Sequence, residues 1–245
     1  MSGIIYQEKH YIAENETDLT GKASLGKMVE LMLLASSKQS DMLGVSEKKL
    51  NDMGYGWVIT QHLLEITRLP IVNEEVTVET QATAYNRYFT YRDFYIKDKD
   101  GEILLKMHTS FVMLDLKARK ITRIIDEMIA PFAPKASKKI ERLPIPEKLT
   151  TPTQEKNYQV RYFDIDSNRH VNNVHYFEWM LDVLGKDFLV NHDPVKVNIK
   201  YEHELYYDEV CTSRVELVEQ ENLTTVHEIL RPDGTLSCHA DIEWK

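Results

Sequence analysis

"APFAPKASKKIERLPIPEKLTTP", residues 130–152, holds five of the eight prolines of the chain. Each proline fixes φ and removes a backbone N–H, so a polar, aperiodic run this rich in proline holds neither helix nor central strand. It reads as an extended connection, and it divides the 245 residues near their middle. The expected boundaries are 1–130 for a first unit, 131–156 for the linker and 157–245 for a second unit.

The two flanks have similar layouts. In the first, "LTGKASLGKMVELMLLASSKQSDML" carries Leu25, Met28, Val29 and Met32 at helical spacing. After a loop with Gly54 and Gly56 come "WVITQHLLEITRLPIVNEEVTVETQATAY" and "FTYRDFYIKDKDGEILLKMHTSFVML". Both are rich in β-formers, and Asp100-Gly101 marks the turn in the second. In the other flank, "NVHYFEWMLDVLGKDFL" reads as one helix with Val174, Phe177, Leu181 and Leu184 on one face. The strands "VKVNIKYEHELYYDEVCTSRVEL" and "TTVHEILRPDGTLSCHADIEW" follow, with Asp233-Gly234 at the corresponding hairpin. "IVNEEV" aligns with "LYYDEV", and "KDGEI" with "PDGTL". A helix followed by antiparallel strands, repeated once, predicts two α+β units, each with a sheet wrapped around its own helix, paired through the repeat's pseudo-symmetry.

Composition narrows the function. Thirty basic against thirty-nine acidic residues leave a net charge of −9, which argues against a nucleic-acid partner because phosphate neutralisation needs clustered Lys and Arg. Cys211 and Cys238 are the two cysteines and form no C-x-x-C pair, so two reduced thiols in a reducing cytoplasm are expected. The N-terminal "MSGIIYQEKHYI" lacks the layout of a signal peptide, and the apolar run "MVELMLLA" is too short to span a bilayer. A cytoplasmic protein without membrane insertion is expected.

"FDIDSNRHVNNVHYFEW", Phe163 to Trp179, crowds polar and titratable groups at the start of the second helix. Asp166, Asn168 and His170 fall at i, i+2 and i+4, which in an extended segment puts all three side chains on one face. Val171, Asn172 and Asn173 then open the helix, where unpaired N–H groups and the helix dipole favour an oxyanion. That combination suits attack on a carbonyl; the structural alternative is a set of caps with a hydrogen-bonded histidine. In "VKVNIKYEHELYYDEV" strict alternation puts Glu202 and Glu204 on the polar face of a strand. The first half has "LTGKAS" where the second has "DSNRHVNN", and Pro70 stands opposite Glu204, so one active site per chain is expected.

The segment "DIDSNRHVNNVHYFEW" resembles the signature D-x-D-x-N-x-H-V-N-N-V-x-Y-x-x-W of the acyl-acyl carrier protein thioesterases, and matches it at each specified position. "GYGWVITQHLLEITRLPIVNEEVTVETQA" and "YRDFYIKDKDGEILLKMHTSFVMLDLKARKI" extend the resemblance over most of the chain. The resemblance implies a double hotdog fold, in agreement with the duplication. It also implies a catalytic set of Asp166, Asn168, His170 and Glu204, the last from "YEHEL" as counterpart of Y-x-x-E-C. Leu205 replaces the Cys of many relatives, which excludes a thiolate there. Glu204 or His170 would activate water, with Asp166 orienting His170; a carboxylate nucleophile giving an anhydride is the other route.

The implied reaction is hydrolysis of a fatty acyl thioester on acyl carrier protein, which needs no cofactor. The first unit would set chain length, which draws attention to Met28, Val29 and Met32. The acidic carrier would dock on Lys117, Arg119, Lys120 and Arg123, or on the segment with Lys135, Lys138, Lys139 and Arg142. A hotdog hydrolase of acyl-CoA is the rival reading, and a non-catalytic acyl-binding module the reading from another class. No metal site is expected, since His170 and His175 lie five apart and no H-E-x-x-H occurs. The repeat allows a monomer that is its own pseudo-dimer, or a homodimer.

Overall fold

The structure, a computed structural model, describes residues 3–219 and 221–245. The chain divides into two compact units. One comprises the stretch ending at Ser24 with Met28–His62 and Leu69–Leu143; the other comprises Leu25–Lys27, Leu63–Arg68 and Pro144–Lys245.

The first unit is built on β1 (Ile5–Tyr11), the greater part of α1 (Leu25–Met42), α2 (Glu47–Asp52), the greater part of β2 (Tyr55–Ile66), β3 (Glu75–Tyr85), β4 (Phe89–Lys97) and β5 (Ile103–Asp115). Short β6 (Lys120–Thr122), α3 (Asp126–Ile129) and β7 (Lys135–Ala136) complete it. Its strands run in the order β1-β3-β4-β5-β2, with β6 on β5 and β7 on β3. Burial alternates along β3, as a sheet with one face on a core requires. Met28, Val29, Met32 and Ala35 of α1 are fully buried. One turn further along the same helix, Gln39 accepts from the buried Arg92 guanidinium of β4 at 2.6 Å.

The second unit contains β8 (Gln154–Gln159), α4 (Asn173–Asp182), α5 (Lys186–Asn191), β9 (Pro194–Tyr201), β10 (Val210–Glu219), β11 (Leu223–Leu230) and β12 (Leu236–Trp244). The strand order is β9-β12-β11-β10-β8, which read backwards is the order of the first unit. Helix α4 packs on β10 and β11, burying Val174, Tyr176, Phe177, Trp179 and Met180. Each unit is thus a hotdog, and the chain is a tandem α+β hotdog.

The duplication extends to single hydrogen bonds. In the first unit Asp18 N–H donates to Lys22 O and Gly21 N–H to Asp18 O; in the second, Asp166 N–H donates to His170 O and Arg169 N–H to Asp166 O. Ala23 N–H donates to Pro70 O, as Val171 N–H does to Leu205 O. The turns before β3 and β10 also match. Glu74 N–H reaches Ile71 O and Glu209 N–H reaches Tyr206 O, with Asn73 at φ 64° and Asp208 at φ 68° in the left-handed region.

These bonds correct the alignment expected from sequence. Pro70 corresponds to Leu205, so Leu69, not Pro70, stands in the place of Glu204. The sequence comparison missed this by one residue because the turn is fixed by backbone bonds, which many side chains allow. A second difference concerns the second helix, expected to continue unbroken to Leu189. It ends at Asp182, and Gly185 at φ +82° turns the chain before α5 begins. Lys156 Nζ, at 2.7 Å from Asp182 O, holds that end.

Candidate active site

The loop before α4 is built around Asp166. Its Oδ1 accepts the N–H of Asn168 at 2.7 Å, while its own N–H donates to His170 O at 3.0 Å. Arg169 closes the turn in the left-handed region, at φ +69°. Segment 166–170 is therefore a tight Asx turn and not the extended strand that the i, i+2, i+4 spacing suggested. The physical reason is local: an aspartate that bonds its own backbone two residues on competes with strand pairing. Asp166 and His170 meet because the loop closes, and Asn168 sits exposed on the turn between them.

His170 lies between two carboxylates. Its Nδ1 is 3.9 Å from Asp166 Oδ2 and its Nε2 is 3.8 Å from Glu204 Oε1. The three side chains are about equally accessible, at 25–26%. Both gaps exceed a hydrogen bond; catalytic contacts in an unliganded site are often long and tighten with substrate.

Glu204 is not on a strand. β9 ends at Tyr201, and the irregular segment beyond it is tied down by bonds from Glu202 and His203 N–H to Ser237 O, at 2.8 and 3.0 Å. Leu205, fully buried, donates its N–H to the Tyr176 hydroxyl at 3.3 Å. The alternation expected through this stretch stops because the segment pairs through single bonds to Ser237 and Val171, not through a ladder. Tyr206 Oη donates to Glu204 Oε2 at 2.6 Å. Sequence reading missed Tyr206; its only signal was an aromatic residue two positions past the glutamate.

The helix start needs a correction. Val171 N–H is spent on Leu205 O and Asn172 N–H on Asp164 O, each at 2.9 Å. Neither is an oxyanion donor. Asn172 caps the helix through Oδ1, which accepts from Val174 N–H at 3.1 Å. Asn173 is the first residue of the helix.

Beneath the loop lies a second charged group that sequence reading did not single out. Asp164, the first acid of the motif, is 1% exposed and takes the Arg161 guanidinium at 2.7 Å and the Arg161 N–H at 2.8 Å. Burial pushes its carboxyl up, but the side-chain and backbone bonds from Arg161, with the nearby charge of His175, hold it below the ordinary carboxylate range. His175 Nδ1 meets Glu178 Oε2 at 2.8 Å. That bond raises the imidazole above its ordinary value, against partial burial.

The remaining expected positions separate. Met28, Val29 and Met32 are core residues of α1. Lys117, Arg119, Lys120 and Arg123 are exposed on and beside the β5–β6 turn, and Lys138 and Lys139 are exposed after β7. Cys211 and Cys238 are free and buried, and burial pushes the Cys211 thiol up to about 12, so neither offers a thiolate. Among the described residues no group of three or more His, Cys, Asp or Glu could hold a metal ion, and no helix is long and apolar enough to cross a membrane.

The chain matches two family profiles in tandem: the acyl-ACP thioesterase N-terminal domain over residues 3–132 and the acyl-ACP thioesterase C-terminal domain over residues 147–245. It belongs to the acyl-ACP thioesterase family. Among solved structures, this acyl-ACP thioesterase family member is similar to a protein provisionally named an oleoyl thioesterase from Lactobacillus plantarum. The two are 40% identical, with a TM-score of 0.96 over 99% of this chain and 96% of that one. An acyl-ACP thioesterase from Bacteroides thetaiotaomicron, 22% identical, shares the fold at a TM-score of 0.87 over 98% of each chain. The oleoyl-acyl carrier protein thioesterase of Coriandrum sativum is 26% identical over 233 residues. That alignment covers 86% of this chain and 62% of the Coriandrum protein, so the chain spans about three fifths of such relatives.

Proposed function

We propose that this chain hydrolyses the thioester of a fatty acyl group carried on acyl carrier protein, releasing the free acid and the carrier thiol. The observation that carries the reading is His170 held between Asp166 and Glu204 at the start of α4. Family membership and the Lactobacillus and Coriandrum relatives support the substrate class.

The steps follow from the groups present. A water within hydrogen-bond reach of both His170 Nε2 and Glu204 Oε1 would bridge the 3.8 Å between them. Proton transfer to this pair frees the hydroxide to attack the thioester carbonyl. The tetrahedral oxyanion is met by the Asn173 N–H, assisted by the Asn168 amide and the positive end of the α4 dipole. Collapse breaks the C–S bond, and the proton held by the pair passes to the leaving thiolate. Asp166 stabilises the imidazolium formed on the way. Glu204 presents one oxygen to Tyr206 and the other to His170, an arrangement that favours water activation over a covalent anhydride.

The test is hydrolysis of one acyl group presented on acyl carrier protein and, separately, on CoA. Preference for the carrier is expected. Equal or faster cleavage of the CoA ester would replace the carrier assignment with a general acyl-CoA hydrolase.

A further inference from the structure

We propose that Tyr206 is a positioning residue of the hydrolytic site, its phenol fixing one oxygen of Glu204 so that the other is presented to His170. This rests on the reading of Glu204 as a proton partner in thioester hydrolysis.

Geometry is the first support. Tyr206 Oη lies 2.6 Å from Glu204 Oε2, while Oε1 lies 3.8 Å from His170 Nε2. A carboxylate on a flexible side chain samples many rotamers, and a short bond to one oxygen restricts that freedom. The second support is how the phenol is itself held. Tyr206 N–H donates to Glu209 Oε2 at 2.9 Å, Glu209 N–H returns to Tyr206 O, and Arg231 Nη2 pairs with Glu209 Oε1 at 3.2 Å. The backbone of the turn is closed without the ring, and Tyr206 is 37% exposed.

The third support comes from the other half of the chain, which serves as an internal control. The turn Ile71–Glu74 repeats the turn at 206–209 bond for bond, with Ile71 N–H donating to Glu74 Oε2 at 3.0 Å. The loop at Asp18–Lys22 repeats that at Asp166–His170. The scaffold is therefore the same in both units, and the side chains at the matched places can be compared directly. Lys22 stands for His170, Thr20 for Asn168, Leu69 for Glu204 and Ile71 for Tyr206. The phenol is present where the histidine and glutamate are present and replaced where they are replaced. A tyrosine needed only for the turn would have no reason to follow the catalytic set, because isoleucine closes the same turn.

The bond also carries electrostatic weight. A phenol donating to a carboxylate stabilises its charged form, the form that takes up the proton of the attacking water. Loss of the phenol therefore makes Glu204 easier to protonate as pH falls.

The experiment compares the full chain with Tyr206→Phe and Tyr206→Ile, the latter copying the first unit, each checked for fold by circular dichroism. Carbon-13 NMR of labelled glutamate reads the Glu204 titration directly, with Glu204→Gln to assign the signal. In Tyr206→Phe the Glu204 midpoint is expected to rise by about 0.5–1 pH unit. The acidic limb of the kcat profile should move the same way, with kcat about tenfold lower and KM little changed. An unmoved Glu204 titration overturns the proposal. A chain that hydrolyses no carrier thioester while its Glu204 titration still responds to Tyr206→Phe would reject the hydrolase reading and leave the Tyr206–Glu204 bond standing.

Discussion

His170 and Glu204 come from different segments, one from the loop before α4 and one from the irregular stretch after β9, and their reactive atoms face each other at 3.8 Å. The bond from Val171 N–H to Leu205 O, between the residues immediately following each of them, holds the two segments together. Backbone pairing next to the reacting side chains fixes their approach without using the side chains themselves.

Replacing either partner should therefore cost activity and leave the fold. His170→Ala and Glu204→Ala are each expected to lower kcat by about 10²–10⁴, the usual worth of a positioned acid or base. Both side chains are partly exposed, so melting temperature should change little. Steady-state hydrolysis and a thermal melt check this together, and full activity in either variant would remove that residue from the mechanism.

Asp164 behaves differently, because it is buried and ionised against Arg161. Asp164→Ala leaves the Arg161 side chain and N–H without their acceptor, and we expect a loss of about 1–3 kcal/mol in urea unfolding. The pH dependence has a definite sign. The folded carboxyl titrates below its unfolded value, so its contribution is complete above about pH 4 and disappears as pH falls through the lower folded value. An Asp164→Asn variant should thus lose less stability than the wild type on acidification below pH 4. Equal acid sensitivity would mean that Asp164 is not the group responsible.

The His175–Glu178 pair has the opposite sign for its imidazole. The hydrogen bond to Glu178 raises His175 above about 6.5. Its contribution is therefore complete below that value and is lost as pH rises through the folded midpoint. Unfolding free energies of wild type and Glu178→Gln should differ by about 1 kcal/mol at pH 6 and by less at pH 9. A difference independent of pH would show that the pair acts by packing and not by charge.

The exposed basic segments offer a test of carrier docking. Reversal of Lys117, Arg119, Lys120 and Arg123 to glutamate is expected to raise KM for acyl carrier protein substrates severalfold and to leave KM for a short acyl-CoA unchanged. The effect should shrink at high ionic strength, since these side chains lie in solvent. An unchanged KM for the carrier ester would place docking elsewhere.

Much of the architecture was legible because it depends on local chemistry. Asp100-Gly101 and Asp233-Gly234 mark hairpins, and both glycines adopt positive φ in the structure, at +87° and +81°. The stripe of Leu25, Met28, Val29 and Met32 reports a buried face because helical period and burial coincide. Arg169 was not legible in the same way. Nothing in an arginine announces a left-handed turn, yet it occupies the place that Gly21 fills in the first unit.

Sequence by itself determined the duplication, the placement of α1 and the start of α4, and the concentration of acid, amide and imidazole ahead of α4, because these depend on residue type and short-range spacing. Tertiary structure alone decided which oxygen faces which nitrogen. It spent the amides of Val171 and Asn172 inside the fold and matched Leu69 to Glu204. It also brought the Tyr206 phenol onto the glutamate. The spent amides and the matched turns depend on hydrogen bonds between separate segments of the chain, and a backbone amide carries no mark in the sequence of the acceptor it will find.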